Sequence, residues 1–195
     1  MSAKMSKKIS ALAPQSSGAM SLDLSHLRQP IMLIGLMGSG KTVLGRMLAE
    51  ATGRAFIDSD KAIEDEAGLR ITDIFELYGE AKFRDLERRI IGQLVRRDHS
   101  ILSVGGGAFC QAEIRGLAKT YVTSIWLSAS PETLLSRMDN LASRPLLAGD
   151  NPLGILQQLH KARRDDYAQA DFTIETDGLS LRQSLDKIIT QLAGI

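Results

Sequence analysis

Gly35-Leu36-Met37-Gly38-Ser39-Gly40-Lys41-Thr42 meets the pattern GxxxxGK[ST] at every defined position, and its reading decides the fold. The pattern binds phosphate only where a strand leads into it and a helix leaves it. Ile31-Met32-Leu33-Ile34 ahead of it is a short apolar run suited to a buried strand, and Val43 to Ala49 behind it carries apolar residues at helical spacing. Glycines at 35, 38 and 40 let successive backbone N–H groups turn inward around phosphate oxygens at the helix N-terminus. Lys41 adds positive charge for the β- and γ-phosphates, and the Thr42 hydroxyl is placed to ligate Mg²⁺. Gly38, Ser39, Gly40, Lys41, Thr42 and Val43 are therefore the candidate contacts to a nucleoside triphosphate.

Working outward, Gly53 closes the first helix and Ala55 to Asp58 reads as a second strand. Helical segments follow at Lys61 to Ala67 and Asp73 to Tyr78, the latter with Thr72 as expected N-cap. From Glu80 to Arg97, the residues Phe83, Leu86, Ile90, Ile91, Leu94 and Val95 mark one amphipathic helix. A third strand, Ile101 to Val104, runs into Gly105-Gly106-Gly107. Tyr121 to Leu127 is expected as a fourth strand, with a capped helix start at Ser130-Pro131-Glu132. Pro152 opens a helix through about Tyr167, Phe172 to Glu175 is a fifth strand, and Ser180 to Leu192 closes the chain as a helix. Strands alternating with helices predict an α/β fold, a parallel sheet covered on both faces, with ligands at the carboxyl ends of the strands.

Composition narrows the function. With 195 residues the chain has the size of one domain, and its net charge of +1 offers no basic stripe for nucleic acid. Cys110 is the sole cysteine, which rules out an internal disulfide or a CxxC site and suits a reducing cytosol. No apolar run is long enough to span a bilayer, so the expectation is a cytoplasmic chain without membrane contact. Residues 1–29, with Lys4, Lys7 and Lys8 among small and polar residues, read as a flexible extension, leaving 30–195 as a single domain.

Asp58 and Asp60 end the second strand with carboxylates sent in similar directions. The third strand ends without an acid, so Asp58 is the expected Mg²⁺ partner of Thr42, and Asp60 is left to accept a proton from an attacking hydroxyl. The plainer role for Asp60 is to cap a helix starting at Lys61. Gly105, Gly106 and Gly107 remove side chains where the backbone could approach a compact ligand. Arg84 and Arg163 carry guanidinium forks suited to a carboxylate, and Arg137 suits adenine or phosphate. Arg144 lies in a Pro- and Gly-containing stretch that reads as a lid at about 139–151, from which a cation could reach the transferring phosphoryl group. Cys110, His26, His99 and His160 receive no catalytic or metal role.

Taken in order, GLMGSGKT, Asp58-Ser59-Asp60, Phe83-Arg84, Ser103 to Ala108, Arg144-Pro145-Leu146-Leu147, and Arg163 ahead of Tyr167 resemble shikimate kinase over about residues 31–192. The resemblance implies a three-layer P-loop kinase fold with strand order 2-3-1-4-5 and transfer of the ATP γ-phosphoryl group to the 3-hydroxyl of shikimate, a step toward chorismate and aromatic amino acids. It implies that Lys41 and Arg144 meet the phosphates, with Thr42 and Asp58 around Mg²⁺. Asp60 would bind ring hydroxyls and assist deprotonation, Arg84 and Arg163 would clamp the shikimate carboxylate, and Gly105 to Gly107 would line the ring. Arg137 matches a nucleotide-side arginine. The family's Asn-Pro-Leu is replaced here by Arg164-Asp165-Asp166, which leaves Arg163 and Arg164 both open as the second clamp. ATP and shikimate are the expected partners of a chain acting as a monomer. A kinase for another small hydroxy acid such as gluconate, or an inactive module of the same fold, is the competing expectation.

Overall fold

The computed structural model describes residues 27–138, 147 and 150–195. Along them run β1 (Ile31–Ile34), α1 (Lys41–Thr52), β2 (Ala55–Asp58), α2 (Ser59–Ala67), α3 (Ile71–Leu94), β3 (Ser100–Ser103), a 3₁₀ turn (Ala108–Cys110), α4 (Ala112–Tyr121), β4 (Thr123–Ser128), α5 (Pro131–Ser136), α6 (Pro152–Tyr167), β5 (Phe172–Glu175) and α7 (Leu181–Leu192). All strand pairings are parallel, in the order β2-β3-β1-β4-β5. Strands β1, β3 and β4 are buried at every position, as a sheet covered on both faces requires, whereas the edge strands β2 and β5 retain exposure.

Side chains alternate between two cores across this sheet. Met32, Ile34, Leu102 and Trp126 join residues of α3, α4, α5 and α6 on one face, while Ile31, Leu33, Ile101 and Leu127 join α1 and α7 on the other. These are the three layers. From Leu27 the chain is tied to the sheet. The Arg54 guanidinium donates to the Leu27 and Gln29 carbonyls, and His99 N–H donates to Arg28 O at 2.9 Å.

Element boundaries differ from expectation in several places. Strand β3 starts one residue earlier, paired through Ser100 with Ala55, and β4 covers Thr123–Ser128 rather than Tyr121 to Leu127, because α4 runs through Tyr121. Thr72 is not an N-cap. Helix α3 starts at Ile71, whose N–H is satisfied by Glu64 Oε1 at 3.0 Å, and the Thr72 hydroxyl turns to Asp73 instead. The two expected helices on either side of Gly79 run together as α3, and the break between them survives as φ 78° at that glycine, a conformation other residues rarely adopt.

Candidate active site

Two cavities open at the carboxyl ends of the strands and adjoin at Met37 and Lys41, which line both. The first, about 590 Å³, is walled by Met37 to Leu44, Arg137, Met138 and the start of α7. Its floor is the glycine loop. Gly38 sits at φ 81°, and a Cβ there would lie 2.6 Å from the Leu134 carbonyl, so both conformation and space demand glycine. Gly40 is the N-cap of α1 and carries no capping side chain, which leaves the helix's first N–H groups facing the cavity. Lys41 Nζ arches back over the loop and donates to Gly35 O and Leu36 O, both at 2.9 Å. The Ser39 hydroxyl is buried and, among the described residues, has no hydrogen-bond partner. A buried orphan hydroxyl, a helix N-terminus and an ammonium on one surface fit a polyphosphate. Arg137 borders the same cavity, fixed by Nη1 to Thr176 Oγ1 at 2.9 Å and Nη2 to Thr176 O at 2.6 Å.

The second cavity, about 220 Å³, is lined by both charged and apolar side chains. Asp60, Arg84, Glu87 and Arg163 line it together with Ile71, Phe75, Phe83 and the triple glycine. None of the three glycines has a positive φ, so their role is space. A Cβ at Gly105 would stand 2.8 Å from Asp60 Oδ1, one at Gly106 3.3 Å from Arg163 Nη1, and one at Gly107 2.8 Å from Arg84 Nη2. The triplet therefore makes room for the side chains of Asp60, Arg163 and Arg84. Arg163 borders this cavity and Arg164 is exposed outside it, because α6 puts residue 163 on the face shared with Tyr167. Tyr167, 1% exposed, donates its hydroxyl to Gly106 O, and burial pushes its pKa up to about 12.

Burial, reinforced by the neighbouring Asp58 carboxylate, raises the Asp60 pKa above the ordinary aspartate value, while Lys41 pulls it back. Ser59 joins the two strand ends: its hydroxyl accepts from Gly105 N–H at 3.2 Å and reaches toward Asp60 Oδ1 at 3.5 Å. Helix α2 begins at Ser59 rather than Lys61, so the capping role falls to Asp58, whose Oδ1 accepts Asp60 N–H at 3.0 Å. Asp58 borders neither cavity; it lines a separate groove with Lys61 and Asp65, whereas Thr42 and Val43 line the first cavity. Arg144, and with it most of the lid expected at about 139–151, lies outside the described residues.

Glu87 lines the second cavity and is a residue that sequence reasoning passed over. It is 1% exposed, accepts from Arg84 Nη1 at 2.6 Å and Gln111 Nε2 at 2.8 Å, and its pKa is pushed up by burial despite the guanidinium. The signal was present: Glu87 falls on the apolar stripe, four residues from Phe83 and from Ile91, where a carboxylate needs a partner. Arg84 is held from three sides, by Glu87, by Glu80 and by the Phe83 ring at 5.2 Å. Cys110 is half-buried with a raised thiol pKa, mainly from burial, which agrees with its exclusion as a nucleophile.

A family model described as shikimate kinase matches residues 37–193. The shikimate kinase of Symbiobacterium thermophilum is 44% identical over 83% of this chain and 95% of its own length, and that of Caulobacter vibrioides is 41% identical over 87% and 86%. Among solved structures, shikimate kinase from Acinetobacter baumannii in complex with shikimate superposes with a TM-score of 0.80 at 39% identity, covering 86% of this chain and 94% of that one. A gluconokinase from Sinorhizobium meliloti, at TM-score 0.59 and 20% identity, shares the fold alone. With the strand order, the phosphate loop and the matched length in agreement, the chain belongs to the shikimate kinase family.

Proposed function

We infer that the chain transfers the γ-phosphoryl group of ATP to the 3-hydroxyl of shikimate, giving ADP and shikimate 3-phosphate for aromatic amino-acid biosynthesis. The observation that carries this reading is the pair of adjoining cavities with Lys41 at their common wall. The larger suits a nucleotide and the smaller a compact acid. Gly38 to Val43 and Arg137 hold the donor. Arg84 and Arg163 take the acceptor's carboxylate, and Gly105 to Gly107 leave room for its ring.

The acceptor hydroxyl oxygen bonds to the γ-phosphorus as the bond to the β,γ-bridging oxygen breaks, and the hydroxyl proton passes to the Asp60 carboxylate. A raised Asp60 pKa strengthens that base. Lys41 follows the charge that builds on the transferring oxygens. Thr42, and Asp58 beyond the cavities, are the oxygen donors proposed for Mg²⁺, which accepts such ligands alongside phosphate and water and neutralises phosphate charge. Arg144 is proposed as a second cation on the phosphates. The organisation proposed around this site is a monomer with an extension, expected as residues 1–29 but giving way to the domain at Leu27, where the bonds to the sheet begin, then the catalytic domain to 195 and a lid at about 139–151, working in the cytoplasm without nucleic acid or membrane. Among the described residues no helix is long and apolar enough to cross a membrane.

Purified protein given ATP and Mg²⁺ should release ADP on addition of shikimate, and far less with gluconate or no acceptor. ADP release indifferent to shikimate would overturn the assignment.

A further inference from the structure

Helix α6 carries a hazard for its own arginine. Asp166 follows Arg163 by three residues, the spacing at which opposite charges on one helix face pair. An Arg163 neutralised in that way would have its fork occupied by a carboxylate of the chain instead of one from a ligand. The described residues show another arrangement. Asp166 Oδ1 is bound by Arg115 Nη1 at 3.0 Å, and no carboxylate among them lies within ion-pair distance of Arg163. The same Arg115 nitrogen donates to Phe109 O at 2.9 Å, in the turn that leaves the glycine triplet. The Cys110 thiol, in that turn, makes a further contact to Asp166. Arg115 and Asp166 are mostly buried, with side chains 16% and 29% exposed, so solvent screening of the pair is reduced.

We propose that Arg115 is a positioning residue for the acceptor site: by claiming Asp166 it keeps the Arg163 guanidinium available to the substrate carboxylate, and it ties α6 to the turn behind Gly107. The proposal rests on the reading of Arg163 as a carboxylate clamp. It assigns Arg115 no contact with the substrate, since Arg115 borders neither cavity.

The test is a rescue. Arg115→Gln keeps an N–H donor for the Phe109 carbonyl and loses the charge that holds Asp166. It should raise the shikimate KM about fivefold, with kcat and the ATP KM within about twofold of the parent. Adding Asp166→Asn to Arg115→Gln removes the competing carboxylate and should return most of the lost KM. A double variant no better than Arg115→Gln would overturn the proposal, because the lost KM would then not come from the freed Asp166 carboxylate. Thermal melts of each variant establish that the folded enzyme is being compared; Arg115→Lys, which retains the charge, should stay near the parent KM. An Arg163→Ala enzyme with unchanged shikimate KM would defeat the clamp reading itself, whereas a raised KM there without rescue in the double variant would defeat only the role of Arg115.

Discussion

The donor cavity is written mostly in consecutive residues, Met37 to Leu44, whereas the acceptor cavity gathers Asp60 from α2, Arg84 and Glu87 from α3, Arg163 from α6 and three glycines after β3. On the proposed reading the first holds its ligand with backbone N–H groups at the start of α1, and the second with side chains, each held by partners of its own. Arg84 has two carboxylates and an aromatic ring around it, while Arg163 leans on Tyr167 and Gly106. The difference is one of failure mode. A backbone site fails when its charge or its glycines change, and a side-chain site fails gradually as supports are removed.

Lys41→Ala should show the largest effect. Removing the ammonium shared by both cavities should lower kcat about a thousandfold, with the shikimate KM changed little. Comparable changes in both constants would break the division between donor and acceptor halves. Arg84→Ala comes next and should act on the other half. Loss of a charge-assisted fork worth about 1.5 to 3 kcal/mol should raise the shikimate KM about ten- to a hundredfold while the ATP KM holds. An unchanged shikimate KM would remove Arg84 from the site.

The same contrast explains what could be read from sequence. The loop, the strands and their alternation were legible because each is local: GxxxxGK[ST] needs only its flanks, and β1, β3 and β4 advertise double-sided burial through short runs rich in apolar residues. Strand order came with the resemblance, since nothing in local pattern says that β3 lies between β2 and β1. Asp60, Arg84 and Arg163 were legible as candidates one by one, but their meeting around Gly105 to Gly107 came only with the resemblance, because it depends on how the crossovers bring distant segments together. The expectation for the triplet concerned a ligand's approach; the structure adds that a Cβ at each glycine would crowd Asp60, Arg163 or Arg84. Helix starts were read correctly at Ser130, Pro152 and Ser180 but not at Thr72. Thr72 looked like a cap by type, yet Glu64 reached that helix end from the preceding one, a contact set by tertiary packing.

Glu87 sharpens the comparison most finely, because it supports the acceptor half from a position that borders only the smaller cavity. Glu87→Gln preserves shape and hydrogen bonding but replaces a charge-assisted bond to Arg84 with a neutral one, a loss of about 1 kcal/mol and so about a fivefold rise in shikimate KM. Stability should respond in a direction that burial dictates. Because burial raises the Glu87 pKa, the folded protein holds that proton more tightly than the unfolded chain does. The stability this contributes is complete below the ordinary glutamate value of about 4.3, and is lost as pH rises through the raised one. The amide introduced by Glu87→Gln does not titrate and suffers no such loss. The variant's Tm should therefore improve relative to the parent as pH climbs from acid toward neutrality. Curves that diverge in the opposite sense would mean that the Arg84 charge outweighs burial at Glu87, and that the pair is held as ions from the start.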